Sequence, residues 1–592
     1  MGSGIFSIGA RAMQASQSQL DTVSHNISNA NTVGYSRQQV EVATEGGLYT
    51  GAGFFGRGVR VATVTRSANE FLTKEANVNT AASSADQTRL AKLKQLETIL
   101  PTGEAGLGYA ASQVLNAFVD VANQPQDMSA RQVVLSRAQE WVSRTNTAGQ
   151  QLAEQQAGVK ADLGTSVGQI NSLTKQIATI NDSIARYSGS GQQPNDLLDQ
   201  RDQLIKQLNQ QIQVTTTPAD DGSLNVFTGG GQLLVLGSSA ETLSVVPDPN
   251  DSSLARIALV TNGSARILDS DQFTGGAVKG LLQYQDEDLA STKAQLNAFV
   301  SGFADAVNAQ QALGMDSSGN VQTTFDVSGT AIASNPIFGN TATASGLTLE
   351  LKTPTGLAVA SPLVATVATT NKGTAAVDTI SMNRALPTGN ALDATSSQPT
   401  STQPLTVLFK TDPSDSTKLT YRFVDANGLG YKDTTPARSW AAGTPLNDQD
   451  PSSIPAESLF SLTISGVPKA GDKISIARTA YPQANNGNAQ AMLALRDKAM
   501  IAVDGDSPAT VTDAYSQMIG NLGVIVQGGQ TSADVSGKLL ATSEQNLSSQ
   551  TGVNLDEEAA RLIQYQQSYQ AAAKVLQIAQ SIFDTLLRTA GG

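Results

Sequence analysis

The chain has 592 residues, no cysteine and a single histidine, with 38 basic against 51 acidic side chains and a net charge of −13. That length accommodates several domains. The lack of cysteine excludes disulfide frameworks, thiolate metal sites, iron–sulfur clusters and cysteine nucleophiles, and His25 alone leaves no histidine-rich zinc site and a single candidate base for a Ser-His-Asp enzyme. The acidic balance argues against nucleic acid as the ligand, because phosphate binding needs a basic face. Charged residues make up 15% of the chain, against about 25% in ordinary soluble domains. Ser, Thr, Asn, Gln and Ala take their place, which predicts a polar but weakly ionic surface. No run approaches the ~20 apolar residues of a membrane span, and the first 30 residues lack the apolar core of a signal peptide. Export, if it occurs, is expected without cleavage of the N-terminus.

In chain order, the first element is a helix on which Phe6, Met13, Leu20 and Ile27 sit seven apart, with Gly9, Ser16, Val23 and Ala30 at the companion offset. Such a narrow seam is the mark of helices that pair side by side. Gly51-Ala-Gly53-Phe-Phe-Gly56 matches GxGxxG, but Val59–Thr65 after it alternates like a strand, so a glycine-rich hairpin is expected instead of a dinucleotide site. Residues 86–210 read as helical, with a seam at Leu163, Ile170, Ile177 and Ile184. Gly149, Gly158, Gly164 and Gly168 leave its continuity open. Short strands follow at 213–217, 223–227, 242–246, 256–260 and 265–268, with Asn262-Gly263 as a turn pair. Leu282, Leu289, Leu296 and Phe303 form another helical seam, opened by Asp286-Glu-Asp288 as a solvated first turn. Asp316-Ser-Ser-Gly-Asn320 reads as a plain turn, since it lacks the ligand series of an EF-hand.

Sixteen of the 20 prolines lie between residues 218 and 482, so the middle of the chain cannot hold long helices. Strands are expected there at 347–352, 405–410, 419–424, 462–465 and 473–477, with Asn427-Gly428 as a turn. Helix resumes with a seam at Val511, Tyr515, Met518, Leu522 and Ile525. The last seam repeats Leu562, Tyr569, Leu576 and Phe583, with Ala559, Ala573 and Leu587 as companions. Asn554 can cap this final helix and Glu557 can close a capping box, and the acids Asp556, Glu557 and Glu558 complement the helix dipole. His25 lies beside the first seam with no nucleophile–acid arrangement around it. No catalytic, cofactor or metal site is expected. One apolar face on each terminal helix does not offset the entropy of ordering both, and isolated helices are marginal in water. The ends are therefore expected to order when neighbouring copies cover their remaining faces.

The expected fold is α+β and multidomain. Residues 1–58 with 546–592 form a terminal helical core domain. Residues 59–211, 280–317 and 485–545 form a helical rod. Residues 212–279 and 318–484 are two β-rich insertions.

His25-Asn-Ile-Ser-Asn-Ala-Asn-Thr-Val-Gly-Tyr35 resembles the N-terminal signature of bacterial flagellar rod, hook and hook-associated axial proteins. Thr551-Gly-Val-Asn-Leu-Asp-Glu-Glu558, continuing through Tyr565-Gln-Gln-Ser-Tyr569, resembles the matching C-terminal signature. Within that group the length, the long helical stretch after residue 86, Asn195–Leu204 and Asn485–Leu493 are similar to the FlgK family of hook-associated proteins. The matching signature positions are Asn26, Asn29, Asn31, Gly34, Tyr35, Asn554, Leu555 and Glu557. The segment 320–484 carries no such motif.

The resemblance implies a non-enzymatic structural protein of the extracellular flagellum, at the junction of hook and filament, exported unfolded through the flagellar type III apparatus. It implies terminal helices in an inner core, lined by Phe6, Met13, Leu20, Ile27, Leu562, Tyr569, Leu576 and Phe583. The implied partners are neighbouring copies in a ring, the hook protein, the next hook-associated protein and a cytoplasmic export chaperone, without cofactor, nucleic acid or membrane insertion. Two alternatives are another axial subunit of hook or distal rod, and an export-associated peptidoglycan hydrolase using Asp196 and Asp199.

Overall fold

The long helices lie where proline is absent from their interiors, and the proline-rich middle of the chain holds short strands, because the ring removes a backbone donor and clashes with the preceding turn. The computed structural model describes residues 2–50, 53–187, 192–261, 263–325, 331–383, 404–424, 437–447, 460–503, 505 and 507–590. The helices are α1 (Gly2–Asn29), α2 (Glu70–Ile99), α3 (Leu107–Asn116), α4 (Phe118–Asn123), α5 (Met128–Tyr187), α6 (Asn195–Gln211), α7 (Ala277–Gln283), α8 (Ala290–Ala312), α9 (Gly487–Ala494), α10 (Val511–Thr551) and α11 (Leu555–Ala590). The chain groups into two units. One contains Met1–Gln95, Gln155–Asp288 and Ile525–Gly592, and the other Leu96–Glu154 and Leu289–Val524.

In the first unit α1 and α11 run antiparallel. Phe6 meets Phe583 with ring centroids 6.2 Å apart, Gly9 faces Leu576, and Asn26 reaches Glu558. The segment between α1 and α2 supplies β1 (Gln38–Thr44), β2 (Leu48–Thr50), β3 (Gly53–Phe55) and β4 (Val59–Arg66). β1 pairs with β4 and β2 with β3, both antiparallel. The β1–β4 ladder joins residues on both sides of the boundary expected at 58, because Val40, Val42, Val61 and Val64 pair across it. Gly51 and Ala52 of the GxGxxG stretch lie outside the described residues. The rest of that stretch leads into strand β4, so no helix N-terminus is offered to a pyrophosphate.

The first β-rich insertion holds two antiparallel sheets. β5 (Val214–Pro218), β6 (Leu224–Thr228), β7 (Leu233–Leu236) and β8 (Ser239–Ala240) make one, and β9 (Thr242–Pro247), β10 (Ala255–Thr261) and β11 (Ser264–Ile267) the other. β7 was not among the expected strands, since Leu-Leu-Val-Leu does not alternate. Asn262 of the expected turn pair lies outside the described residues, while Gly263 has φ +81°.

Side-chain amides fasten strands to helices in this unit. Asn171 on α5 donates to the Leu243 carbonyl and accepts from its N–H, both at 2.8 Å. Asn181 does the same for Leu224, at 2.8 and 3.1 Å, and Gln285 for Ala255, at 3.1 and 2.9 Å. A carboxamide presents an N–H and a C=O side by side, as a strand edge does, so it can stand in for a neighbouring strand. Asn181 and Gln285 are fully buried, so some of the abundant amides also serve the interior.

Gln285 lies on a π-helical turn, Tyr284–Leu289, between α7 and α8. The expected solvated first turn at Asp286–Asp288 is also corrected. Asp288 is buried and takes two hydrogen bonds from Arg89, each 2.8 Å, and Asp286 accepts from Arg256 at 2.6 Å. The wider π turn places these acids against arginines of the same unit.

The second unit is centred on Trp141, which packs on Phe303 and Phe338 with centroids 4.6 and 5.0 Å away. Leu289, Leu296 and Phe303 of the expected seam are all buried, as are Val511, Met518 and Leu522. Arg131 is buried. Its guanidinium donates to the carbonyls of Pro125 and Leu357.

The strands begin with β12 (Thr323–Phe325), β13 (Ala331–Ala333), β14 (Phe338–Gly339) and β15 (Thr348–Leu349). The expected strand 347–352 shrinks to β15, because Leu347 and Leu351 are both buried and 3₁₀ turns flank it. The remaining strands are β16 (Leu363–Val367), β17 (Ala376–Met382), β18 (Leu405–Thr411), β19 (Leu419–Val424), β20 (Arg438–Ser439), β21 (Leu446–Asn447), β22 (Phe460–Ser465) and β23 (Lys473–Arg478). They form a five-stranded sheet, β16-β23-β18-β19-β20, and a three-stranded sheet, β17-β22-β21, which share a core around Phe409, Phe423, Phe460 and Ile474. Asn427 and Gly428 lie outside the described residues. Asp316 folds its own turn, accepting from the N–H groups of Ser318 and Asn320.

α5 is one unbroken helix of 60 residues, about 90 Å at 1.5 Å per residue, so its glycines do not interrupt it. A Cβ added at Gly158, Gly164 or Gly168, or at Gly520, Gly523, Gly528 or Gly537 in α10, would meet no atom within 4 Å. Glycine inside a helix costs about 1 kcal/mol relative to alanine, and nothing inside this chain requires it at those positions. Among the described residues no helix is long and apolar enough to cross a membrane.

Candidate functional site: the paired chain ends

The N-terminal signature turns the chain out of α1, and Gly34 makes the turn with φ +84° while packing against Gln203 of α6. Tyr35 then comes back over the end of α1. Its hydroxyl donates to Asn26 Oδ1 at 2.7 Å and lies 3.0 Å from His25 Nδ1. Asn26 is buried. Its amide nitrogen donates to the Gln38 carbonyl at 2.9 Å and to Glu558 Oε2 at 2.8 Å, and its oxygen accepts the Gln38 N–H at 2.9 Å. One side chain thereby holds the exit from α1, the start of β1 and the first turn of α11.

The segment Asn195–Leu204 closes the same site from α6. Asp199 accepts from the Ser36 N–H at 2.9 Å and from Arg66 at 2.8 Å, while Asp202 takes Arg66 at 2.6 Å. Asn195 donates to the Val64 carbonyl at 2.9 Å, and Gln38 donates to Asp196 at 3.0 Å. Positions 195, 199 and 202 share one face of α6 by helical spacing, and that face carries the contacts. Burial opposes the charge of Arg66, but Asp202 and Asp199 outweigh it and hold the guanidinium above its usual range. Burial, together with the charges of Asp196, Asp199 and Glu558, pushes the Tyr35 hydroxyl well above the ordinary tyrosine range.

Among the other signature residues, Asn29 bonds within its own turn to the His25 carbonyl, and Asn31 is exposed. Asn554 caps α11 by accepting from the N–H of Asp556 at 3.0 Å and of Glu557 at 3.4 Å. The expected capping box is corrected, because Glu557 turns away from the cap to accept from Arg37 at 3.1 Å. Leu555 is half exposed. Sequence reasoning missed the partners Ser36, Gln38, Arg66, Asp202 and Glu558. The spacing of acids on α6 was the signal available for them, but nothing local names the arginine they meet.

Along the helix pair the buried line is Gly9, Ala15, Ser16 and Val23 on α1, and Glu558, Ala572 and Ala579 on α11. Phe6, Met13, Leu20, Ile27, Leu562, Tyr569 and Leu576 flank that line half-buried. Phe583 is 46% exposed despite its contact with Phe6. Of the companion line expected at Ala559, Ala573 and Leu587, Ala559 and Leu587 are exposed, whereas Glu558 and Ala572, each one position earlier, are buried. Close approach selects small side chains in the middle, as at Gly9, where a Cβ would stand 3.0 Å from Leu576 Cδ2. Larger residues are displaced outward. Ile563, Val575, Ile578 and Ile582 leave an exposed aliphatic row on α11, and Leu587, Ile5 and Ile8 are exposed as well.

The carboxylates proposed for a hydrolase, Asp196 and Asp199, are engaged by Gln38, Ser36 and Arg66. They act here as packing groups between elements. Among the described residues no group of three or more acids and histidines could hold a metal ion.

Comparison with known proteins accounts for this arrangement. The helical domain of flagellar hook-associated protein FlgK matches residues 93–326, the flagella basal body rod protein model residues 6–35, and the C-terminal model of the flagellar basal body rod FlgEFG proteins residues 544–589. The chain is 29% identical over 583 residues to flagellar hook-associated protein 1 of Salmonella typhimurium, covering 97% of this chain and 98% of that one. It is 28% identical over 581 residues to the Escherichia coli K12 protein of the same name, covering 97% of each. The fold is similar to that of the flagellar hook junction protein FlgK from Burkholderia pseudomallei, with a TM-score of 0.62 and 24% identity over 80% of this chain and 99% of that one. The matched ranges contain Asn26, Tyr35, Asp199 and Glu558 of the polar site and both helices of the pair, and over nearly its whole length the chain is similar to the FlgK family of flagellar hook-associated proteins.

Proposed function

We propose that this chain is a structural, non-enzymatic subunit that joins hook to filament, and that neighbouring copies complete its terminal helix pair. The observation that carries this reading is the two-sidedness of that pair, with small residues on the inner line and Ile563, Val575, Ile578 and Ile582 exposed on the outer row. An exposed aliphatic row of this kind marks a surface that another protein covers. Copies arranged in a closed ring bury such rows by heterologous contacts that return on themselves. The polar site fixes the angle at which β1 and α6 leave the helices, so each copy presents its row in the same way. Export through the flagellar type III route, a chaperone on the C-terminal helix, and the hook protein and next hook-associated protein as axial neighbours all fit this role and belong to the same reading.

The test is the double variant Ile578→Asp/Ile582→Asp. Both residues are exposed in the isolated chain, so its helix content and thermal midpoint should stay within error of the wild type. Cells carrying it should make hooks without filaments. Normal filaments on such cells would refute the assignment of the row to assembly.

A further inference from the structure

The cross-strand partners Tyr49 of β2 and Phe54 of β3 are 73% and 75% exposed. Their rings tilt together with centroids 5.9 Å apart, and the Phe54 ring lies against Gly47, where a Cβ would stand 2.7 Å from it. The two side chains are thus held in place while most of their surface meets water. Aromatic rings carry much of the energy of protein interfaces, and a fixed, solvated pair of them marks a contact for another molecule. The charge beside the pair is basic, since Arg11, Arg57 and Arg60 gather around Glu45. The same unit holds a cavity of roughly 1000 Å³ between the exit from α1, the start of α2, α6, the end of α10 and the start of α11. Such a volume lies at the upper end of the ~300–1,000 Å³ of ligand pockets, which leaves room for two aromatic side chains. Val33, Leu547, Val553 and Leu555 give it apolar lining, and Val33 is 80% exposed. Its charges cancel in two pairs, Arg66 with Asp202 at 2.6 Å and Lys206 with Glu544 at 2.5 Å, and the exposed Asp556 leaves the lining net negative.

The hairpin of one chain does not reach its own cavity. Gly58, just after β3, packs on Ile8 near the start of α1, whereas the cavity begins at Ala30, past the end of that helix. Ile8 and Asn29 are about 30 Å apart along the helix at 1.5 Å per residue, and a hairpin with three-residue strands spans only about 10 Å. We propose, on the footing that copies of this chain assemble with one another, that Tyr49 and Phe54 of one copy enter this cavity in the next, with Arg57 brought to Asp556. The contact is heterologous, with the hairpin on one copy and the cavity on its neighbour, and its two sides are complementary in charge. It uses a surface separate from the aliphatic row of α11.

The full chain has no cysteine, so Arg57→Cys and Asp556→Cys can be combined in one chain and joined by a short bismaleimide without background. On flagella from cells carrying this double variant, the reagent should link chain to chain and give dimers and higher multimers on a denaturing gel, while either single variant stays monomeric. Flagella that contain the double variant and yield only monomers overturn the proposal, and leave the α11 row standing as an assembly surface. Links that form in cells where Ile578→Asp/Ile582→Asp has no effect on filaments would instead support the hairpin contact and count against the row. Should the cysteine chain stay out of flagella, Tyr49→Ser/Phe54→Ser decides the matter. Both rings are exposed, so the thermal midpoint of the isolated chain should match the wild type, while filaments per cell should fall about tenfold, the effect of losing a modest part of a binding energy. A wild-type number of filaments in that variant overturns the proposal.

Discussion

The Asn26 side chain accepts from Tyr35 and from the Gln38 N–H while donating to Gln38 and Glu558. Asn26→Asp keeps its shape but removes both donors and sets a second carboxylate beside a buried one. We expect a loss of about 3 kcal/mol or more, the scale for stranding a buried charge, read as faster amide exchange at Gln38 and Arg66. Asn31→Asp, at an exposed position of the same signature, should stay within about 0.5 kcal/mol. Both asparagines were legible as signature residues, but the sequence could not rank them, because burial depends on what lies across from α1. Tyr35 gives a pH dependence. Its folded pKa lies above the unfolded value of about 10, so the folded state holds the proton more tightly. The contribution is fully present below the unfolded pKa and is lost as pH rises through and beyond it. Tyr35→Phe should make the decline in urea midpoint above pH 10 shallower, with Tyr284 and Tyr515, also raised by burial, supplying what remains.

At the scale of elements, the helix ends and the turn between helix and strand carry separable energies. Asn554→Ala removes the cap of α11 and should cost about 1 kcal/mol. Glu557→Gln removes an exposed ion pair with Arg37 and should cost well under 1 kcal/mol. The order of these two losses, measured by thermal unfolding of the full chain, would be reversed if the capping box rather than the side-chain cap held the helix start. Gly34→Ala forces φ +84° on a residue with a Cβ that would stand 3.1 Å from Gln203 Oε1, and should cost about 1–2 kcal/mol. The seven-residue period on both terminal helices was readable, and the helices are there. The period did not reveal that Ala572 and Ala579 lie deeper than Leu576. A periodic pattern gives the direction of a face but not the distance of closest approach, and the small residue at Gly9 sets that distance.

For the whole molecule, the two ends of the chain form part of one unit while the second unit is built from internal segments. Deleting 556–592 removes α11 and with it Glu558, so it should loosen the polar site and prevent incorporation into flagella. Both tryptophans, Trp141 and Trp440, lie in the second unit, so its unfolding can be followed by their fluorescence and should be unchanged by the deletion. A shifted tryptophan transition would show that the units are not independent. Amide exchange on the dilute wild-type chain should find 5–30 and 558–587 less protected than the core of α8. Equal protection would mean that the helix pair is already complete without neighbours.

The sequence by itself determined where the long helices lie and that the middle of the chain is strand-rich, through the placement of proline and the periods of apolar residues, because both act on the local backbone. It also pointed to the family the chain resembles, through the signatures at the two ends. Only the tertiary structure decided why those signatures have the residues they do. Asn26, Tyr35, Arg66, Asp199 and Glu558 come from four separate stretches of chain, and each is polar in a way that looks like surface until the others surround it. Burial and hydrogen-bond partnership are properties of the meeting of elements, and that meeting has no local pattern to announce it.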